Sequence, residues 1–100
     1  MHELMHTTVT IHYTGIPDDE EGRTEFQCFE LMHIPTVGEA LAVYSSRDSN
    51  GNYYEDGKPR KLFSGVVESI TNSIEQRGSD SSSNRSTHYI DIYVGPGLVL

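Results

Sequence analysis

Leu62-Phe63-Ser64-Gly65-Val66-Val67-Glu68-Ser69-Ile70-Thr71-Asn72-Ser73-Ile74-Glu75 is the stretch on which the fold class turns. Phe63, Val66, Val67, Ile70 and Ile74 fall at the spacing of one helix face. The residues between them oppose a helix: Gly65, Asn72, several serines and β-branched side chains form a poor helical set, and no clear N-cap with a following acid precedes them. A bent strand with a bulge at Gly65 presents the same apolar positions. The stretch is therefore expected to be a strand.

Working outward, the flanking segments agree with that choice. Thr7 to Thr14 alternates, with Val9, Ile11 and Tyr13 on one face and Thr8, Thr10 and His12 on the other, and it is rich in β-branched residues. Gly15 to Gly22 follows as an exposed acidic loop. Arg23 to Met32 resumes as a second strand whose apolar parity switches between Phe26/Cys28 and Phe29/Leu31, which predicts a bulge near Gln27 to Phe29 or a strand covered on both faces. Pro35 and Gly38 make a turn into a third strand, Glu39 to Tyr44. Ser45 to Arg60 carries Asn50-Gly51 and Asp56-Gly57; Asn-Gly signals a type I′ hairpin, so the segment is expected to be a two-stranded excursion or a mobile loop. Gln76 to Ser86 reads as a polar hairpin loop, and Thr87 to Val94 alternates again, with His88, Ile90, Ile92 and Val94 on one face.

Five or six short strands in 100 residues predict one all-β domain, a small antiparallel meander or barrel spanning residues 1–100, with Met1 to His6 frayed. The order Pro35-x-Val37-Gly38-Glu39, apolar strand, long hairpin, Phe63-x-Gly65-x-Val67-x-x-Ile70 and alternating final strand resembles the small SH3-like barrel proteins of bacterial and phage genomes. The resemblance covers Ile34 to Val94. It implies an SH3-like barrel and a mobile-element origin, and it transfers no active-site residue.

Composition narrows the function. Fifteen Asp and Glu against seven Lys and Arg give a formal charge of -8, so the summed field repels phosphate backbones and anionic lipid heads. Direct nucleic-acid or membrane binding is not expected, and a basic protein is the partner that such a surface attracts. A lone cysteine, Cys28, precludes an internal disulfide and fits a reducing compartment. No apolar run approaches the roughly 18 residues of a membrane span, and the chain is expected to be cytoplasmic.

Four motifs carry possible chemistry. His2-Glu3-Leu4-Met5-His6 matches the His-Glu-x-x-His zinc pattern, but that pattern needs a buried helix and a third ligand, and here it leads into a β-branched strand. His2, Glu3 and His6 are read as coincidental. Asp48, Asn50 and Asn52 have the spacing of the first EF-hand ligands, yet the glycine falls at 51 and the position of the bidentate Glu is Pro59, so a turn explains them better. Tyr53, Tyr54, Glu55 and Asp56 place aromatics beside acids, either as a contact site or with one tyrosine folded back onto the barrel. Asp18, Asp19, Glu20 and Glu21 form a second candidate patch, with a solvated charge run as the plainer explanation. No spacing supports a catalytic triad or a phosphate loop, and no cofactor is implied.

The expected function is a non-enzymatic binding module acting on another protein or on a second copy of itself. Two alternatives stand beside it: an acidic inhibitor occupying a basic nucleic-acid-binding groove of a host protein, and a small-molecule binder at an oligomer interface. The aliphatic end Leu98-Val99-Leu100 suits the covering of an edge strand, and a homodimer is one way to do so.

Overall fold

The computed structural model describes residues 4–28, 33–77 and 85–97. Its strands are β1 (Leu4–Tyr13), β2 (Glu25–Cys28), β3 (Ala40–Ser45), β4 (Arg60–Arg77) and β5 (Arg85–Gly95), and no helix occurs among the described residues. They form one sheet in the order β2-β1-β5-β4-β3, which curls nearly into a barrel. The all-β class is as expected, with five strands.

The sheet is mixed, however, not antiparallel throughout. β1 and β5 run parallel over ten residue pairs, from Leu4↔Arg85 to Tyr13↔Val94, whereas the other three pairings are antiparallel. In an up-and-down chain with an odd number of strands the first and last run the same way, so closing the sheet on itself pairs them in parallel. Here that closing pair is made, and the neighbours left without a ladder among the described residues are β2 and β3. The barrel seam lies between them.

β1 starts at Leu4, inside the segment expected to fray and ahead of the strand start expected at Thr7, with Leu4, Met5 and His6 paired to Arg85, Ser86 and Thr87. Its inward residues Val9 and Ile11 are buried beside Ile90, Ile92 and Val94 of β5, matching both alternations read from the sequence. On the outer face His12 Nε2 lies 2.8 Å from Asp91 Oδ1, and the His12 ring stacks on Tyr93 at 4.7 Å. β2 pairs with β1 in unbroken register through Cys28, so no bulge occurs at Gln27 or Cys28; Phe29 to Met32 lie outside the described residues.

β4 is one strand of 18 residues, as its composition required, but Gly65 is not its bulge. Leu62 is the extra residue opposite β3, between the pairs Val43↔Phe63 and Tyr44↔Lys61. Glu68 is the extra residue opposite β5, between Val67↔Val94 and Ser69↔Tyr93. Each bulge reverses which face the next side chain meets. Gly65 serves a close crossing instead: a Cβ there would stand 1.8 Å from the Gly95 carbonyl oxygen.

The N-terminal half of β4 pairs with β3 and its C-terminal half with β5, so the strand bends the sheet around the core. Phe63 is fully buried at the centre, its ring stacked on Tyr13 at 5.0 Å. Full burial of a side chain of this size contributes roughly 1.5–3 kcal/mol. Gly38 sets the start of β3. With φ of 97° it donates its N–H to the Val67 carbonyl while Val67 N donates to the Glu39 carbonyl, the bonding of a G1 bulge.

Candidate functional site

The two loop patches nominated by the sequence meet in space. The bulged residue Leu62 turns its carbonyl toward the acidic loop and accepts from the N–H groups of Asp18 and Asp19 at 2.8 and 3.2 Å. That anchors the loop on the edge of β4 not covered by β3. Asp19 then folds back on Arg23: its Oδ2 accepts from Arg23 Nε at 2.7 Å and from Arg23 N at 3.0 Å. The Asp19 side chain is 5% exposed. Hydrogen bonding from the Arg23 guanidinium holds the Asp19 carboxyl below its ordinary range, and the same pairing raises Arg23.

Arg23 also reaches the other loop. Its Nη2 donates to the Tyr54 hydroxyl at 2.7 Å, and its Nη1 to the Arg47 carbonyl at 2.8 Å. Glu21 accepts from the Ser49 backbone N–H at 3.0 Å and from the Ser49 hydroxyl. Arg60 stacks over the Tyr54 ring at 3.9 Å, and Arg47 over the Tyr53 ring at 4.4 Å. Between the loops lies a cleft of about 140 Å³ lined by Asp18, Asp19, Glu20, Glu21, Tyr54, Arg60 and Lys61.

The clasp therefore joins loops that are distant in sequence, and Arg23, Arg60 and Lys61 offset much of its negative charge. Lys61 Nζ stands 3.6 Å from Asp18. Of the two tyrosines, Tyr54 is the one folded back, while Tyr53 is exposed. Asp56 accepts from Lys58 N at 3.0 Å within a turn, and Glu55 is exposed beside it.

The Asn50-Gly51 turn is not type I′, since no residue other than glycine has positive φ among the described residues. Asp48 N donates to Asn52 O at 2.8 Å and Gly51 N to Asp48 O at 3.0 Å, which makes a three-residue loop with Gly51 in the left-handed region. Asp48 Oδ1 accepts from the N–H groups of Asn50 and Asn52, so the spacing that resembled calcium ligands serves a turn. His6 belongs to β1; His2 and Glu3 lie outside the described residues. Among the described residues no group of three His, Cys, Asp or Glu could hold a metal ion.

A second region was not nominated by any motif. Along the seam, Ile11, Phe26 and Cys28 from one side and Leu41, Ala42, Val43 and Tyr44 from the other line an apolar cleft of about 240 Å³. Burial raises the Cys28 thiol, keeping it protonated and apolar in behaviour. One wall is the edge strand β3, Ala40-Leu41-Ala42-Val43-Tyr44-Ser45, which contains no charge, no proline and no glycine. Glu39 bonds to Val67, and alternation of the ladder then turns the backbone groups of Ala40 and Ala42 away from β4, toward the seam. The sequence signal for this site was the uncharged run itself.

Among the described residues no helix is long and apolar enough to cross a membrane. No family model matches the chain, and neither a curated protein nor a solved structure does.

Proposed function

We propose that this chain is a non-enzymatic interaction module, akin to the small SH3-like barrel proteins of phage and other mobile elements, that acts in the cytoplasm by taking an extended segment of another protein onto β3. The observation that carries this reading is the seam: an uncharged edge strand stands beside an apolar cleft, with no ladder between β2 and β3 among the described residues. Strand addition uses main-chain hydrogen bonds for affinity and pockets for alternate side chains for specificity, and the seam offers both. Natural edge strands are usually blunted by charge, proline or bulges. β2 is blunted by its four-residue length and by Glu25; β3 has a G1 bulge at its start but carries no charge and no proline within its six residues.

The acidic-inhibitor alternative draws less support. Asp18, Asp19 and Glu21 face cations or hydroxyls of their own chain, so the loop presents a partly compensated surface. The small-molecule alternative would need a second subunit to complete a site.

Selection from a random peptide display library tests the proposal. Enriched peptides should be apolar at alternate positions and should lose binding to an Ala42→Pro variant, in which the outward N–H is gone while the bonds to β4 remain. Peptides retained equally by that variant, or enriched for helical spacing, would refute it.

A further inference from the structure

Resting on the strand-addition reading, we propose that the segment received by the seam is basic: apolar at the positions that enter the cleft and Lys or Arg at those between. The alternation of a strand fixes the division. A segment lying beside β3 sends every second side chain into the cleft lined by Ile11, Phe26, Cys28, Leu41 and Val43. The intervening side chains emerge on the outer surface, where the neighbouring outward residues are Glu25 and Gln27 on β2 and Ala40, Ala42 and Tyr44 on β3.

Within β2 and β3 that outer surface carries one acid, Glu25, and no base; Lys61, opposite Tyr44 on β4, stands 3.6 Å from Asp18. Glu25 is exposed on one lip of the seam, whereas Glu39, on the parity of Leu41 and Val43, is taken up by Thr36 and His33. Ala40 and Ala42 leave room above the strand, and Tyr44, 54% exposed, offers a ring face to a guanidinium or ammonium group. The whole chain carries -8, which attracts a basic segment over the range of the Debye length. The same charge decides against a second copy of this chain as the occupant, since two copies repel each other and β3 has no basic residue to set against Glu25.

Three blocked seven-residue peptides, alternating Lys/Val, Thr/Val and Glu/Val, distinguish the outcomes when titrated against the labelled full chain by NMR. The Lys/Val peptide should shift the Ala40, Ala42 and Tyr44 amides and bind about tenfold more tightly than Thr/Val at low salt. Most of that advantage should vanish at about 0.5 M salt, where exposed charges are screened within a few ångströms. Glu25→Gln, an exposed change that spares the core, should weaken the Lys/Val peptide roughly twofold to fivefold and leave Thr/Val unaffected. Equal binding of all three peptides, or preference for Glu/Val, overturns the basic assignment while strand addition stands. If no peptide moves the β3 amides, both the assignment and the strand-addition reading fail. A concentration-dependent dimer abolished by Ala42→Pro makes a second copy the occupant and overturns the basic assignment.

Discussion

The loop clasp and the seam sit on the same barrel and differ in how their polar groups are used. At the clasp, Arg23 alone engages Asp19, Tyr54 and the Arg47 carbonyl, and the backbone of the acidic loop is anchored on Leu62. At the seam, a six-residue strand turns backbone groups outward beside an apolar cleft. The charged loops are thus largely committed to holding the fold together, and the uncharged strand is the surface with bonding capacity left over. Charge density in a sequence marks where solvent is met; it does not by itself mark where a partner is met.

The contrast can be broken at several points. Phe63→Ala removes the fully buried ring stacked on Tyr13 and should destabilise by about 3–5 kcal/mol in a denaturant titration, disabling both regions together. Arg23→Ala should cost about 2 kcal/mol, because Asp19 is left nearly buried without its charge partner. If the two regions are separate devices, this variant still adds a peptide strand at the seam below its lower melting temperature.

The same pair gives a pH signature. Hydrogen bonding from Arg23 holds the Asp19 carboxyl below its ordinary range, so its contribution is fully present above that range and is lost as pH falls through the lower folded value. Stability of the native chain should therefore decline below about pH 4, and Arg23→Ala should flatten that decline, as measured by thermal melts across pH 2–5. An unchanged acid slope would show that the pair does not govern it.

Tyr54→Phe is a finer cut. Losing the hydroxyl that accepts from Arg23 should cost about 1 kcal/mol while the Arg60 stack over the ring persists. The smallest stability effect belongs to Ala42→Pro, expected within about 0.5 kcal/mol of the native chain because its N–H faces away from β4. Its effect on peptide addition should nevertheless be complete.

The helical spacing of Phe63, Val67, Ile70 and Ile74 has a physical origin in the strand itself. Phe63, Gly65 and Val67 share one parity, and Ile70, Asn72 and Ile74 share the other, with Glu68 inserted between them. Two runs of period two joined by a bulge reproduce steps of four, three and four. Composition, which disfavoured a helix, was the sounder guide, while the bulge was misplaced at Gly65 because a glycine also marks a close crossing.

The alternations of β1 and β5 were legible because each has one apolar and one polar face. Their parallel pairing was not, since no local signal records which distant strand lies alongside. The clasp was half legible: Asp18 to Glu21 and Tyr53 to Asp56 were noticed as separate patches, but Arg23, which joins them across 31 residues to Tyr54, looked like an ordinary strand residue. The seam escaped notice because Ala40 to Ser45 reads as a routine core strand until its place at the edge of the sheet is known.

The central pairing of β1 with β5 has a consequence in time. A nascent chain exposes β1 first, yet that strand must wait for β5, some 80 positions later, before its ten-residue ladder can form. Contacts so far apart in sequence place folding toward the slow, millisecond-to-second end of the range for small domains. Until β5 has been made, Val9 and Ile11 lack the strand that lies beside them in the core. A chain released before β5 is made would therefore carry β1 without its parallel neighbour and be prone to aggregate.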